Sequence, residues 1–184
     1  MNAIAKTAAD AAADGRPQDR RAGDGGPRDG RRDFDFLHGS WRVRHRMLKR
    51  RGAGSDDWLE FEGTSTTRPV MGGLCNVEEH DFPARGSQGA AFRTFDLARR
   101  VWSIYWVSSL DGLLGEPVHG GFEGGVGRFY GVDLDAGRPV KVAFVWAEIT
   151  ETSAHWSQAF SYDDGKSWEV NWTMAFSRTG PCPA

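Results

Sequence analysis

Residues 39–47 read Gly39-Ser40-Trp41-Arg42-Val43-Arg44-His45-Arg46-Met47. Trp41, Val43, His45 and Met47 alternate with Arg42, Arg44 and Arg46. A strand points successive side chains to opposite faces, so the arginines meet water and the other set shares an apolar face. His45 is the polar member of that inner set.

The same period continues down the chain. Strands are expected over 58–68, 74–82, 88–95, 101–108, 117–123, 126–132, 139–149, 153–162 and 167–178. Turns separate them at Gly72-Gly73, at residues 96–100, at Gly124-Gly125 and at Asp163-Asp164-Gly165, where glycine supplies positive φ. The last three strands each carry an apolar face. These faces are Val140, Val142, Phe144 and Trp146; then Ala154, Trp156, Gln158 and Phe160; then Trp168, Val170, Trp172, Met174 and Phe176. About ten short strands at this spacing predict a sandwich or a barrel. Consecutive hairpins with no helical crossover favour an all-β, antiparallel up-and-down barrel. Closure removes the sheet edges, and this strand number leaves room for one small ligand.

Composition agrees. The 184 residues include 8 Trp, 11 Phe and 24 Gly, which suits aromatic packing between tight turns. A formal net charge of −2 and the lack of a basic face argue against nucleic-acid binding. No run approaches the ~20 apolar residues of a membrane span. Cys75 and Cys182 are the only cysteines, a pattern that fits a reducing compartment, and a cytoplasmic location is expected. Residues 1–32 are rich in Ala, Gly, Asp and Arg and hold no aromatic side chain, so a disordered tail is expected there. The barrel domain is expected over 33–178, opened by a lid in which Phe34, Phe36 and Leu37 pack down, and residues 179–184 are expected to fray.

Gly39-Ser40-Trp41 resembles the Gly-x-Trp signature of lipocalin-like proteins. In that superfamily a basic residue near the end of the last strand packs on the tryptophan, and Arg178 stands at the matching place. The resemblance implies that the indole plugs one end of the barrel with the guanidinium stacked on it. The stretch 33–178 also resembles a bacterial family of uncharacterised calycin-like proteins, through Asp33–Trp41, Gly73–His80, Trp102–Trp106, Gly125–Gly131 and Ser167–Trp172. That resemblance implies the fold and no particular activity. The haem-binding nitrobindins are related in fold, but their proximal-histidine segment has no match here.

The residues that could carry chemistry are polar ones with an inward phase. Asn76, Glu78 and His80 share one face of their strand, and Cys75, Val77, Glu79 and Asp81 share the other. Either face can be the inner one. With the first set inside, a carboxylate and an imidazole stand about 7 Å apart along the strand, as an acid–base pair or a polar clamp. His45 and Gln158 are further inward polar candidates, and a buried amide such as Gln158 needs a partner from a ligand or a neighbouring strand. Glu148, Arg93 and Tyr105 are weaker candidates. Trp106, Trp146, Trp156 and Trp172 are expected to line the interior. No cofactor fingerprint is present, and Glu78 with His80 lacks a third metal ligand at useful spacing.

The leading expectation is a binding protein for a small hydrophobic molecule, with His45, Asn76, Trp106, Trp146, Trp156, Gln158 and Trp172 around it. The alternative is a cofactor-independent isomerase, cyclase or hydratase using Glu78 and His80. A third reading is a barrel filled by its own side chains. The sequence does not set the oligomeric state.

Overall fold

Residues 29–181 are described by the structure, a computed structural model. Among them ten strands follow in order: β1 (Gly39–Leu48), β2 (Trp58–Val70), β3 (Cys75–Phe82), β4 (Ser87–Asp96), β5 (Val101–Ser108), β6 (Val118–Glu123), β7 (Val126–Asp135), β8 (Arg138–Ala147), β9 (Ser153–Ser161) and β10 (Glu169–Gly180). Each pairs antiparallel with its neighbours in the chain, and β1 pairs with β10 to close the ring. The all-β up-and-down barrel predicted by the alternation is the observed fold.

Strand ends differ from the expected ones where turns intervene. β8 stops at Ala147 because Glu148 turns the chain with a φ of 52°, and β7 runs on to Asp135. A larger correction concerns Trp168 and Val170. The β10–β9 register passes from Val170↔Ala159 to Trp172↔Gln158, so Asn171 is an extra, bulged residue. A bulge reverses the side-chain phase beyond it. Trp172, Met174 and Phe176 point inward, whereas Trp168 lies outside the barrel with its ring 6.4 Å from that of Tyr130.

One end of the barrel is plugged by the segment before β1. Two 3-10 turns, Gly30–Arg32 and Asp35–Leu37, bring Phe34 and Leu37 into full burial. Burying each such side chain contributes about 1.5–3 kcal/mol. Phe34 packs edge-on to Trp102 and Phe122 and stacks on Phe129. Residues 29–32, assigned to the tail on composition, belong to this plug: the Trp102 indole N–H donates to the Gly30 carbonyl at 2.8 Å. Residues 1–28 and 182–184, with Cys182, lie outside the described residues.

Trp41 and Arg178 meet as the Gly-x-Trp resemblance implied. The Arg178 guanidinium lies 4.1 Å from the centre of the Trp41 ring, and the Trp41 N–H donates to the Leu37 carbonyl at 2.8 Å. Arg178 also donates to the carbonyls of Phe36, His38 and Glu151, tying the plug to the last strand. Gly39 has a φ of 128°, and a Cβ there would sit 2.6 Å from an Arg178 nitrogen, which explains the glycine of the signature.

Candidate functional site

Closure decides which face of β3 is inside. Asn76, Glu78 and His80 point inward and are buried, while Glu79 and Asp81 are exposed. Charged side chains stay inside only when paired, and the cross-strand register supplies the partners. Asn76 stands opposite Arg93 on β4, and His80 opposite Ser65 on β2. Arg93 forms an ion pair with Glu78 Oε2 and donates to Asn76 Oδ1 at 3.0 Å. Ser65 donates to Glu78 Oε1 at 2.6 Å, and His80 Nε2 lies 3.2 Å from the same oxygen. Both carboxylate oxygens are therefore engaged. Burial by itself pushes the Glu78 carboxyl up, but His80 and Arg93 together outweigh it and hold the group well below the usual carboxylate range.

Above this polar floor, further from the plug, the walls are aromatic. The His80 and Trp106 rings are 5.5 Å apart, Trp106 and Trp172 6.2 Å, Trp156 and Trp172 5.6 Å, and Phe144 and Trp156 4.9 Å. Trp106, Phe144, Trp172 and Gln158 all face inward, yet each is only half-buried, so the interior retains accessible surface at this level. Trp106 lies across β4 at Gly89, where a Cβ would come within 2.2 Å of the indole. Gln158 finds its partner in a neighbouring strand: its amide N–H donates to Asn171 Oδ1 at 2.8 Å, across the β10 bulge.

Strand pairing is short beside Trp106. β6 pairs with β5 only across Trp102–Ile104 and with β7 only as far as Tyr130. Beyond these points residues 109–117 fill the space between β5 and β7, held by the Gly115 N–H to the Trp106 carbonyl at 2.9 Å and a bridge between Val107 and Leu114. Leu110, Leu113 and Leu114 on this segment are 65–72% exposed, which is unusual for leucine.

The residues chosen from sequence separate into layers. Trp106, Trp156, Gln158 and Trp172 come together around the accessible interior. Asn76, Glu78 and His80 form the floor. Trp146 lies deeper than expected, in contact with Phe34, Phe36 and Phe176 beside the plug. His45 is fully buried, stacked at 4.6 Å on Phe61, and accepts from the Trp172 indole N–H at 3.2 Å through Nδ1. Glu148 is exposed in the turn after β8, on the plugged end, and Tyr105 pairs with Phe92 on the outer face. Arg93, a weak candidate from sequence, is central; the partnership of Ser65 with Glu78 carries no local signal, and Phe144, on the apolar face expected from alternation, joins the walls beside Trp156. Among the described residues no group of three or more His, Cys, Asp or Glu is placed to share a metal ion.

The site has a defined response to acid. Burial, with His80 adding to it, pushes the His45 imidazole down to about 3 from an ordinary 6.5. The unfolded chain takes up a proton as pH falls through 6.5, whereas folded His45 does not until near 3. Stability therefore falls across that window, with a slope approaching ~1.4 kcal/mol per pH unit for one proton. His38 and His155 are also lowered by burial and act in the same direction. Glu78, held low in the folded state, contributes stability above the ordinary carboxylate range that is lost on further acidification. Urea midpoints measured from pH 7 to pH 4 should fall steadily, and His45→Gln should flatten the curve. A midpoint independent of pH in this range would show that His45 is not held neutral.

No protein-family model matches the chain, and no curated protein sequence matches it. Among solved structures the chain is similar to the S-type phycobiliprotein lyase CPES from Guillardia theta, with 8% identity and a TM-score of 0.51 over 83% of this chain and 98% of that one. It is also similar to a redesigned beta barrel, with 12% identity and a TM-score of 0.44 over 80% and 96% of the two chains. The likeness to the lyase shows a lipocalin-like fold. Of the resemblance read from the sequence motifs, the antiparallel barrel is what this likeness supports, and no family is assigned.

Proposed function

We propose that the protein binds a small, largely apolar molecule in the barrel interior, between the aromatic walls and the Glu78–His80–Arg93 floor. The observation that carries this reading is the set of inward-facing but half-buried side chains Trp106, Phe144 and Trp172. Their counterparts beside the plug, Phe34 and Trp146, are wholly buried, and apolar walls with a few placed polar groups are the usual make-up of a small-molecule site. The segment 109–117, with its exposed leucines where the β5–β6 pairing stops, is the entry. The likeness in fold to a phycobiliprotein lyase is compatible with this reading but does not carry it.

The acid–base alternative is less well supported. Glu78 is held ionised, and its oxygens already accept from Ser65, His80 and Arg93. It serves as an anchor for its neighbours and has no proton to give near neutral pH.

The test is titration with the neutral fluorescent probe N-phenyl-1-naphthylamine. Saturable binding with quenching of protein tryptophan emission is expected. Trp106→Ala and Trp172→Ala should weaken it about tenfold or more, the scale of one lost aromatic contact. Trp168→Ala, on the outer surface, should leave it unchanged. An absence of saturable binding, or equal losses in all three variants, would count against the interior site.

A further inference from the structure

The deep end of the interior holds more hydrogen-bond donors than acceptors. Arg93 Nε, Asn76 Nδ2 and Trp146 Nε1 are all buried and have no hydrogen-bond partner among the described residues. They lie close together. Arg93 donates through its terminal nitrogen to Asn76 Oδ1 at 3.0 Å, and its guanidinium carbon is 5.8 Å from the Trp146 ring centre. The Asn76 amide is oriented by that bond, since exchanging its oxygen and nitrogen would set two donors face to face. A buried N–H left unpaired is destabilising, so several at one place call for an acceptor that the chain does not provide. Glu78, the carboxylate within reach, already has both oxygens engaged.

We infer that these three donors form the head-group subsite of the interior cavity, and that they select an apolar ligand ending in a neutral acceptor such as a ketone, ester or amide carbonyl. This inference rests on the ligand-binding reading above and specifies its chemistry. A carbonyl oxygen offers two lone pairs and brings no hydrogen that would itself need an acceptor. A hydroxyl brings one. A carboxylate brings a second negative charge beside Glu78, where the Arg93 charge is already matched. The register sets the neighbourhood: Trp146 stands opposite Trp156 across β8 and β9, so its ring adjoins the wall that Trp156 and Trp172 form.

The experiment uses four naphthalenes substituted at the same carbon, with acetyl, ethyl, hydroxyl or carboxylate groups, each titrated against the full chain. The acetyl compound should bind about tenfold more tightly than the ethyl compound, the gain of one to two net hydrogen bonds. The carboxylate should bind most weakly. Trp146→Phe and Asn76→Leu should each remove several-fold of the acetyl advantage while leaving the ethyl affinity within about twofold, a readout that misfolding would not produce. Equal affinities for acetyl and ethyl compounds, or tightest binding by the carboxylate, would overturn the head-group assignment and leave the cavity standing. Failure of all four to bind would remove the cavity reading and this inference with it.

Discussion

Replacing Arg93 with methionine is expected to cost the fold about 3–5 kcal/mol, the range for leaving one partner of a buried ion pair uncompensated. Arg93 and Glu78 are both almost wholly buried, and each is the other's charge partner. Removing the guanidinium strands the carboxylate in an aromatic interior and leaves Asn76 Oδ1 without its donor. The double variant Arg93→Met with Glu78→Gln should recover a substantial part of the loss, because the charge that needed compensation is gone. Urea unfolding of the wild type, the two single variants and the double variant measures this directly. A loss below about 1 kcal/mol for Arg93→Met would place the pair in effective contact with water. The double variant also separates two roles: a recovered fold that still binds hydrophobic probes would show that the charge pair serves the architecture.

Trp41→Ala should have an effect of similar size, about 3–5 kcal/mol, as a large-to-small change at a filled site. Trp41 is buried at the plugged end, edge-on to Phe176 and under the Arg178 guanidinium. Its removal opens a cavity between the plug and the barrel and takes away the donor that holds the Leu37 carbonyl. Arg178→Ala should cost less by itself, since its plug carbonyls lie near the surface and can turn to water. The two changes should not add. A double-mutant cycle is expected to return a coupling of about 0.5–2 kcal/mol for a partly desolvated cation on an indole. Additive losses would mean that the stacking contributes nothing. A Trp41→Ala loss under about 1 kcal/mol would mean that the plug seals this end without the tryptophan.

Several features of this molecule follow from the sequence by itself. Side-chain alternation is a local property of an extended chain, so the inward phase of Trp41, Val43 and His45, of Phe144 and Trp146, and of Trp156 and Gln158 can be read from spacing. Turn chemistry is equally local, which is why the hairpins and the up-and-down order follow from Gly and Asp positions. The pairing of Trp41 with Arg178 came through a motif. The tertiary structure decided the rest, because the deciding interactions are non-local. The choice between the two faces of β3 needed Arg93 and Ser65 on adjacent strands: a buried carboxylate is unfavourable until its partners are in place, and alternation alone leaves either face open. The outward place of Trp168 depended on a one-residue bulge at Asn171, to which a period-2 reading is blind. The deep position of Trp146 and the shallower one of Trp106 are depths along the barrel axis. Those depths are set by how ten tilted strands register with one another, and alternation within a strand contains no information about them.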